Sequence, residues 1–137
     1  MRTGVGQVLV NPAVDLTPAG LEYTSMYRHA DSPTLTRQQM QLLLRFAIPP
    51  GMDPRELSPV YADDLSGLAP VLVVVPTIDP VADHGRCYAE RLGIAGTSVR
   101  LTEYSGATHA FLSMPGVVLH AKAARAEIGE FLRGALA

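Results

Sequence analysis

Residues 71–75 read Val71-Leu72-Val73-Val74-Val75, and Pro76-Thr77-Ile78-Asp79-Pro80 follows at once. An apolar run of five that ends in a turn with one carboxylate predicts a buried parallel strand, with Asp79 delivered at its C-terminal end. A second apolar segment, Val99 to Tyr104, leads into Ser105-Gly106-Ala107-Thr108-His109-Ala110-Phe111 and delivers His109 in the same way. In open α/β sheets that edge is where sites are built. An Asp and a His placed there can form the orienting half of a Ser-His-Asp relay. The question this raises is where the serine stands.

The chain has 137 residues, enough for one domain or a piece of one. An apolar fraction of 47% supports a real core and argues against disorder. A net charge of −2, with scattered basic residues, gives no electrostatic reason to expect nucleic acid or an anionic membrane as partner. The single Cys87 excludes an internal disulfide and a four-Cys zinc site, and its place within a predicted helix reads as packing. The first six residues show no long apolar region of a secretory signal. No apolar run approaches the roughly 20 residues that span a bilayer. A cytoplasmic location is the expectation.

In order, Gln7-Val8-Leu9-Val10-Asn11 reads as a short strand that Pro12 ends. Residues 12–33 read as a long loop with one short helical turn. Thr34 or Thr36 caps a helix from about Arg37 to Phe46, with Met40, Leu43, Leu44 and Ala47 on one apolar face. Ile48-Pro49-Pro50-Gly51 stops it. Residues 52–69 are again irregular, with turn formers at Asp53-Pro54 and Ser58-Pro59 and a helical turn within Tyr61 to Leu68. A strand near 70–75 precedes a helix from about Asp83, its N-cap, to Leu92, with Gly93 as its stop. The strand at 98–104 mixes Val99, Leu101 and Tyr104 with polar residues, so it is less enclosed. A last helix, about Gly116 to Leu136, carries a stripe of Ala121, Ala124, Ile128, Phe131 and Ala135, with Lys122, Arg125, Glu127, Glu130 and Arg133 mostly off it. The second half is therefore β-α-β-α, which implies parallel pairing with right-handed crossovers. Three parallel strands are thin for an independent α/β domain.

Two readings of Asp79 and His109 stay open on spacing. In one, His109 is a general base and acid whose tautomer Asp79 fixes. In the other, Asp79 caps a loop and His109 is a surface residue. Gly106 suits a tight loop that lets the imidazole turn into a cleft. Asp83 and His84 join Asp79 and His109 in a metal cluster only on a strained reading. Asp83 is better explained as a helix cap, and His84 then falls on a solvated first turn. His29 lies in a polar surface loop, and His120 sits within the final helix, packed or exposed. The glycines match neither G-x-x-x-x-G-K-[ST] nor G-x-G-x-x-G. A nucleophile elbow reads G-x-S-x-G. None of Ser25, Ser32, Ser58, Ser66, Ser98, Ser105 and Ser113 stands in that frame. No His-Gly-Gly run supplies an oxyanion hole, Ser105 lies too near His109 in sequence to be an elbow, and Cys87 is mid-helix.

Ser58-Pro59, the run from Asp64 to Pro70 before a strand, the run from Asp79 to Gly85, Tyr104 and His109-Ala110-Phe111 resemble the C-terminal half of the hormone-sensitive-lipase-like α/β-hydrolases. The run from Gln7 to Leu16 resembles the strand after the nucleophile helix in that family. The resemblance runs in order along essentially the whole chain. It implies an α/β fold of about three parallel strands with flanking helices and an irregular, partly helical, cap-like excursion. The expected layout is one partial domain over 1–137, with the first strand region at 1–16, the excursion at 17–69 and the β-α-β-α unit at 70–137.

The resemblance implies carboxylic-ester hydrolysis without cofactor or metal, with Asp79 matching the triad acid and His109 the base. Residues from about Thr17 to Asp53 would help to cover an acyl pocket. The family usually has Gly where Ala110 stands. Its early strands, oxyanion glycines and nucleophilic serine have no match here, so the chain alone is expected to be inactive. The expected substrate is a small or medium apolar ester, once a serine-bearing half completes the site. An open sheet edge at residues 7–11 invites self-association or a second polypeptide. The alternatives are a non-catalytic hydrolase-derived module that pairs through that edge, and an unrelated flavodoxin-like binding domain.

Overall fold

The computed structural model describes residues 4–114 and 119–137. Three parallel strands, β1 (Gln7–Val10), β2 (Val71–Ile78) and β3 (Val99–Thr108), lie side by side in that order. Gln7 pairs with Val71 and Val10 with Val74; on the other side Val71 pairs with Val99 and Pro76 with Tyr104. Among the described residues four helices accompany them: α1 (Thr24–Arg28), α2 (Arg37–Ala47), α3 (Ala82–Ile94) and α4 (Leu119–Leu136).

Residues 71–75 of β2 are each no more than 1% exposed. Side chains alternate across a strand. Val71, Val73 and Val75 therefore pack with Ala82, Tyr88, Ala89 and Leu92 of α3 on one face. Leu72 and Val74 pack with Phe111, Ala121 and Ala124 on the other, where Ile128 and Phe131 of α4 add to the cluster. Each such side chain contributes about 1.5–3 kcal/mol over leaving it in water. The approach of α3 is close: a Cβ on Gly85 would stand 2.6 Å from Val75 Cγ2. Strand β3 is more open, with Leu101 and its polar neighbours facing outward, as its mixed composition predicts.

The strands run further than their apolar cores. Strand β2 continues through Pro76 to Ile78 and β3 to Thr108, so Ser105 and Gly106 lie within a strand rather than a loop. Pro76 has no N–H for the ladder. The register breaks there: Pro76 faces Tyr104, but Ile78 faces Thr108, so β3 bulges. Gly106 takes a left-handed φ of 82° in that bulge and donates its N–H to Thr77 Oγ1 at 2.9 Å.

The excursion before β2 is more regular than its composition predicts. It holds 3-10 turns at Pro18–Leu21, Pro54–Leu57 and Pro59–Tyr61 besides α1, while residues after Tyr61 up to Leu68 form no helix. Thr36 and Gln39 cap α2 reciprocally, so Thr36 rather than Thr34 starts it. Its apolar face is only partly used. Met40 is buried with Met26, Leu35 and Val81, whereas Leu43 is 54% exposed.

Three readings of α3 change. Val81 holds its N-cap position, and Asp83 sits one residue inside the helix. There Asp83 Oδ2 accepts from the Ser25 N–H at 2.9 Å, and Asp83 Oδ1 accepts from Arg86 at 2.9 Å. The helix also runs past Gly93 to Ile94. It ends where Gly96, at φ 87°, lets Thr97 N–H reach Leu92 C=O and Gly96 N–H reach Gly93 C=O. The third change is His84, expected in solvent and found fully buried. Its Nδ1 accepts from the N–H groups of Val14 and Asp15, at 3.2 and 3.4 Å, and its Nε2–H donates to Gly20 C=O at 2.8 Å. The backbone of residues 14–20 cannot satisfy these groups itself, so a side chain from α3 does so. Beside it Asp15, also buried, accepts from Thr17, Tyr23 and Tyr61. Burial, reinforced by Asp15, raises the pKa of the Tyr23 phenol.

The predicted start of the last helix at Gly116 lies outside the described residues. From Leu119 onward the stripe faces the sheet, with Ala121 and Ala124 fully buried.

Burial holds His84 below its ordinary pKa of 6.5. The unfolded chain takes up a proton at His84 as pH falls below about 6.5 and the folded chain resists it. Stability is therefore full above that pH and declines below it. Urea unfolding at about pH 7.5 and 5.5 should show this loss. His84→Ala should cost about 2–4 kcal/mol at the higher pH and shrink the difference between the two.

Candidate active site

Each strand of the sheet ends in a polar side chain on the same edge: Asn11 after β1, Asp79 after β2 and His109 after β3. Asp79 and His109, the pair expected from sequence, meet. His109 Nδ1 stands 2.8 Å from Asp79 Oδ2. Asp79 is fully buried, and its other oxygen, Oδ1, accepts from the Val81 N–H at 2.9 Å. Asp79 makes both contacts at once: one oxygen caps the turn into α3 and the other faces the imidazole. A carboxylate so fixed selects a ring orientation, and an Nδ1–H that donates to it leaves Nε2 as the basic atom.

His109 keeps 24% of its side chain exposed. It stands in the wall of a cavity of about 260 Å³ whose other lining includes Asn11, Leu16, Leu35, Met40, Leu43 and Leu44. Apart from Asn11 and His109 that wall is apolar, and α2 supplies much of it. The part-used face of α2 thus borders the site. A larger open groove of about 560 Å³ along residues 55–63 includes neither Asp79 nor His109.

The turn that presents His109 is strained. Ala110 adopts φ 64° and ψ 19°, a left-handed conformation that crowds a Cβ. Phe111, fully buried against Tyr104, anchors the chain immediately after it. The bulge before His109 and the left-handed residue after it aim the imidazole back across the strand ends. Asn11 escaped sequence reasoning. Its Oδ1 accepts from the Ala110 N–H at 3.1 Å, and its Nδ2 lies 3.4 Å from His109 Nε2. Its place after a short strand, on the same edge as the other two, was the signal that would have found it.

The remaining candidates stand apart. His84 is held in the backbone cage described above. His29 lines a polar cavity with Ser25, Arg28, Thr77, Asp83 and Arg86, where Arg86 is paired with Asp83 and Glu103. His120 lies 5.8 Å from the Tyr104 ring. Cys87 is half-buried against the α3 face of the core. Among the described residues no three His, Cys, Asp or Glu side chains are grouped to hold a metal ion. Nor, among them, is any helix long and apolar enough to cross a membrane.

A family model described as an alpha/beta hydrolase fold matches residues 2–113. Carboxylesterase NlhH of Mycobacterium tuberculosis is 37% identical over 109 residues, covering 74% of this chain and 34% of that protein. Carboxylic ester hydrolase LipN of the same species is 50% identical over 62 residues, or 45% of this chain and 16% of LipN. A crystal structure of a hormone-sensitive lipase from a metagenome library superposes with a TM-score of 0.90 at 29% identity, covering all of this chain and 46% of that one. The chain therefore spans about a third of the curated carboxylesterase NlhH and under half of that lipase.

Ala110→Gly should stabilise the chain. It removes a left-handed strain of about 1–2 kcal/mol at the cost of about 0.5–1 kcal/mol in chain entropy. Thermal unfolding should show a higher Tm.

Proposed function

Because the chain belongs to the alpha/beta hydrolase fold family, in its carboxylesterase- and lipase-like branch, we propose that it supplies the acid and base of a Ser-His-Asp relay for carboxylic-ester hydrolysis. The observation that carries this reading is the 2.8 Å contact between His109 Nδ1 and buried Asp79 Oδ2 beside an apolar cavity. His109 Nε2 takes the proton of a serine hydroxyl as that oxygen attacks the ester carbonyl. Asp79 steadies the imidazolium that forms. The same proton then passes to the departing alcohol, leaving an acyl-serine. Water, deprotonated by the same nitrogen, releases the acid and restores the serine.

None of the seven serines of these 137 residues stands in a G-x-S-x-G frame. In this reading the nucleophile and the oxyanion donors come from sequence outside the 137 residues, in the same polypeptide or another, and these residues alone do not hydrolyse esters. The apolar wall from α2 suits a small or medium acyl or alcohol group. A second reading, a non-catalytic module, draws on β1: among the described residues it pairs with β2 alone, and its other edge is open to a second copy or another polypeptide.

A serine-reactive fluorophosphonate probe applied to natively purified material, followed by intact-mass analysis, separates these readings. Label on the polypeptide that carries the complementary serine is the expected result. Label on one of these seven serines would overturn the assignment, and no label at all would favour the non-catalytic module. Co-expression with a serine-bearing segment should yield ester hydrolysis that His109→Ala abolishes. Asp79→Asn should lower its kcat/KM by about 10²–10⁴-fold.

A further inference from the structure

The hydrogen bonds around His109 have a direction that the backbone sets. The Ala110 N–H can only donate, and it points at the Asn11 side chain, 3.1 Å from Oδ1. This contact decides which end of the Asn11 amide is oxygen. The NH₂ end is left toward the imidazole, with Nδ2 3.4 Å from His109 Nε2. Across the ring, the Val81 N–H occupies Asp79 Oδ1, and Asp79 Oδ2 faces Nδ1.

We propose that Asn11 is a positioning residue for His109, its backbone-oriented amide donating to Nε2 and holding the ring neutral, with its proton on Nδ1. This rests on the reading of His109 as the relay base. Which ring nitrogen carries the proton is set by the partners of both. Asp79 offers an acceptor to Nδ1, but a carboxylate serves a neutral ring and an imidazolium alike. Asn11 discriminates between them. Its donor is satisfied only by a lone pair on Nε2, so it opposes a resting proton on the atom that must accept one. The contact is long for a hydrogen bond, so an arriving serine hydroxyl can displace it. Each strand then contributes one residue to a continuous chain of donors and acceptors: Asn11, His109 and Asp79.

His84 provides an internal reference, because its cage demands the opposite tautomer. Its Nδ1 accepts from two backbone N–H groups and its Nε2–H donates to Gly20. The test is nitrogen-15 correlation of the ring nitrogens in the full chain, labelled at histidine and compared with Asn11→Asp. That substitution is nearly isosteric. It keeps an oxygen for the Ala110 N–H and turns only the atom facing Nε2 from donor to acceptor. In the wild type, His109 should be neutral with Nε2 unprotonated. In the variant, both ring nitrogens should carry protons at about pH 7, because the ring then lies between two carboxylates. His84 should keep its pattern in both. A variant whose His109 still shows an unprotonated Nε2 would overturn the proposal, as would a wild-type His109 protonated there.

If loss of the His84 pattern reports that the carboxylate prevents folding, Asn11→Ala is read instead. The Nε2 resonance should then move downfield, toward that of an imidazole nitrogen without a donor. An unmoved resonance would sink the proposal. The ring nitrogens are read without substrate, so this outcome is independent of the fluorophosphonate labelling that tests the hydrolase reading itself.

Discussion

Burial of β2 on both faces is the constraint on which the rest of the structure depends. A parallel strand with no wet face must have a layer on each side, and the alternation of residues 71–75 assigns one set to α3 and the other to α4 and the turn at Phe111. The same strand loses a ladder donor at Pro76, three residues before Asp79, and its register with β3 shifts there. β3 bulges around Gly106, and beyond the bulge the His109 imidazole lies 2.8 Å from the Asp79 carboxylate. The contact between His109 and Asp79 thus sits directly at the end of the packed strands.

What was legible from sequence was what depends on periodicity and strand ends. The apolar run, the stripe of α4 and the delivery of Asp79 and His109 to one edge all follow from side-chain direction, which is local. The misplaced features depend on partners distant in sequence. His84 looks like a solvated residue on a helical first turn until the strip from Val14 to Gly20 arrives, 64 or more residues away, with backbone groups needing a partner. Asp83 resembles a cap because Asp often caps, yet Ser25, 58 residues earlier, claims its oxygen. Gly93 reads as a stop because glycine commonly ends helices, yet the backbone with φ > 0 lies three residues on, at Gly96. Asn11 was passed over because a polar residue before Pro12 reads as the end of a strand. Its importance comes from contacts 98 and 99 residues away.

Local strain gathers beside His109 and is absent from the middle of the sheet. Among the described residues, Asn11 at φ 39° and Ala110 at φ 64° are the non-glycine residues with left-handed backbone, and they are hydrogen-bonded to each other. The buried Phe111 and the bulge before His109 hold this turn in place. The energy stored there is small beside the burial of β2, which allows the fold to carry it. Geometry that a free peptide would not adopt is in this way imposed by its surroundings.

The excursion between β1 and β2 is fastened to α3 at two points. His84 grips its backbone at Val14, Asp15 and Gly20. Ser25 exchanges hydrogen bonds with Asp83 while donating to Pro80 C=O, one residue from Asp79. These contacts tie the segment to the helix that follows the carboxylate and hold its backbone beside the site. The opposite wall of the cavity is α2, whose Leu43 stays more than half exposed beside His109.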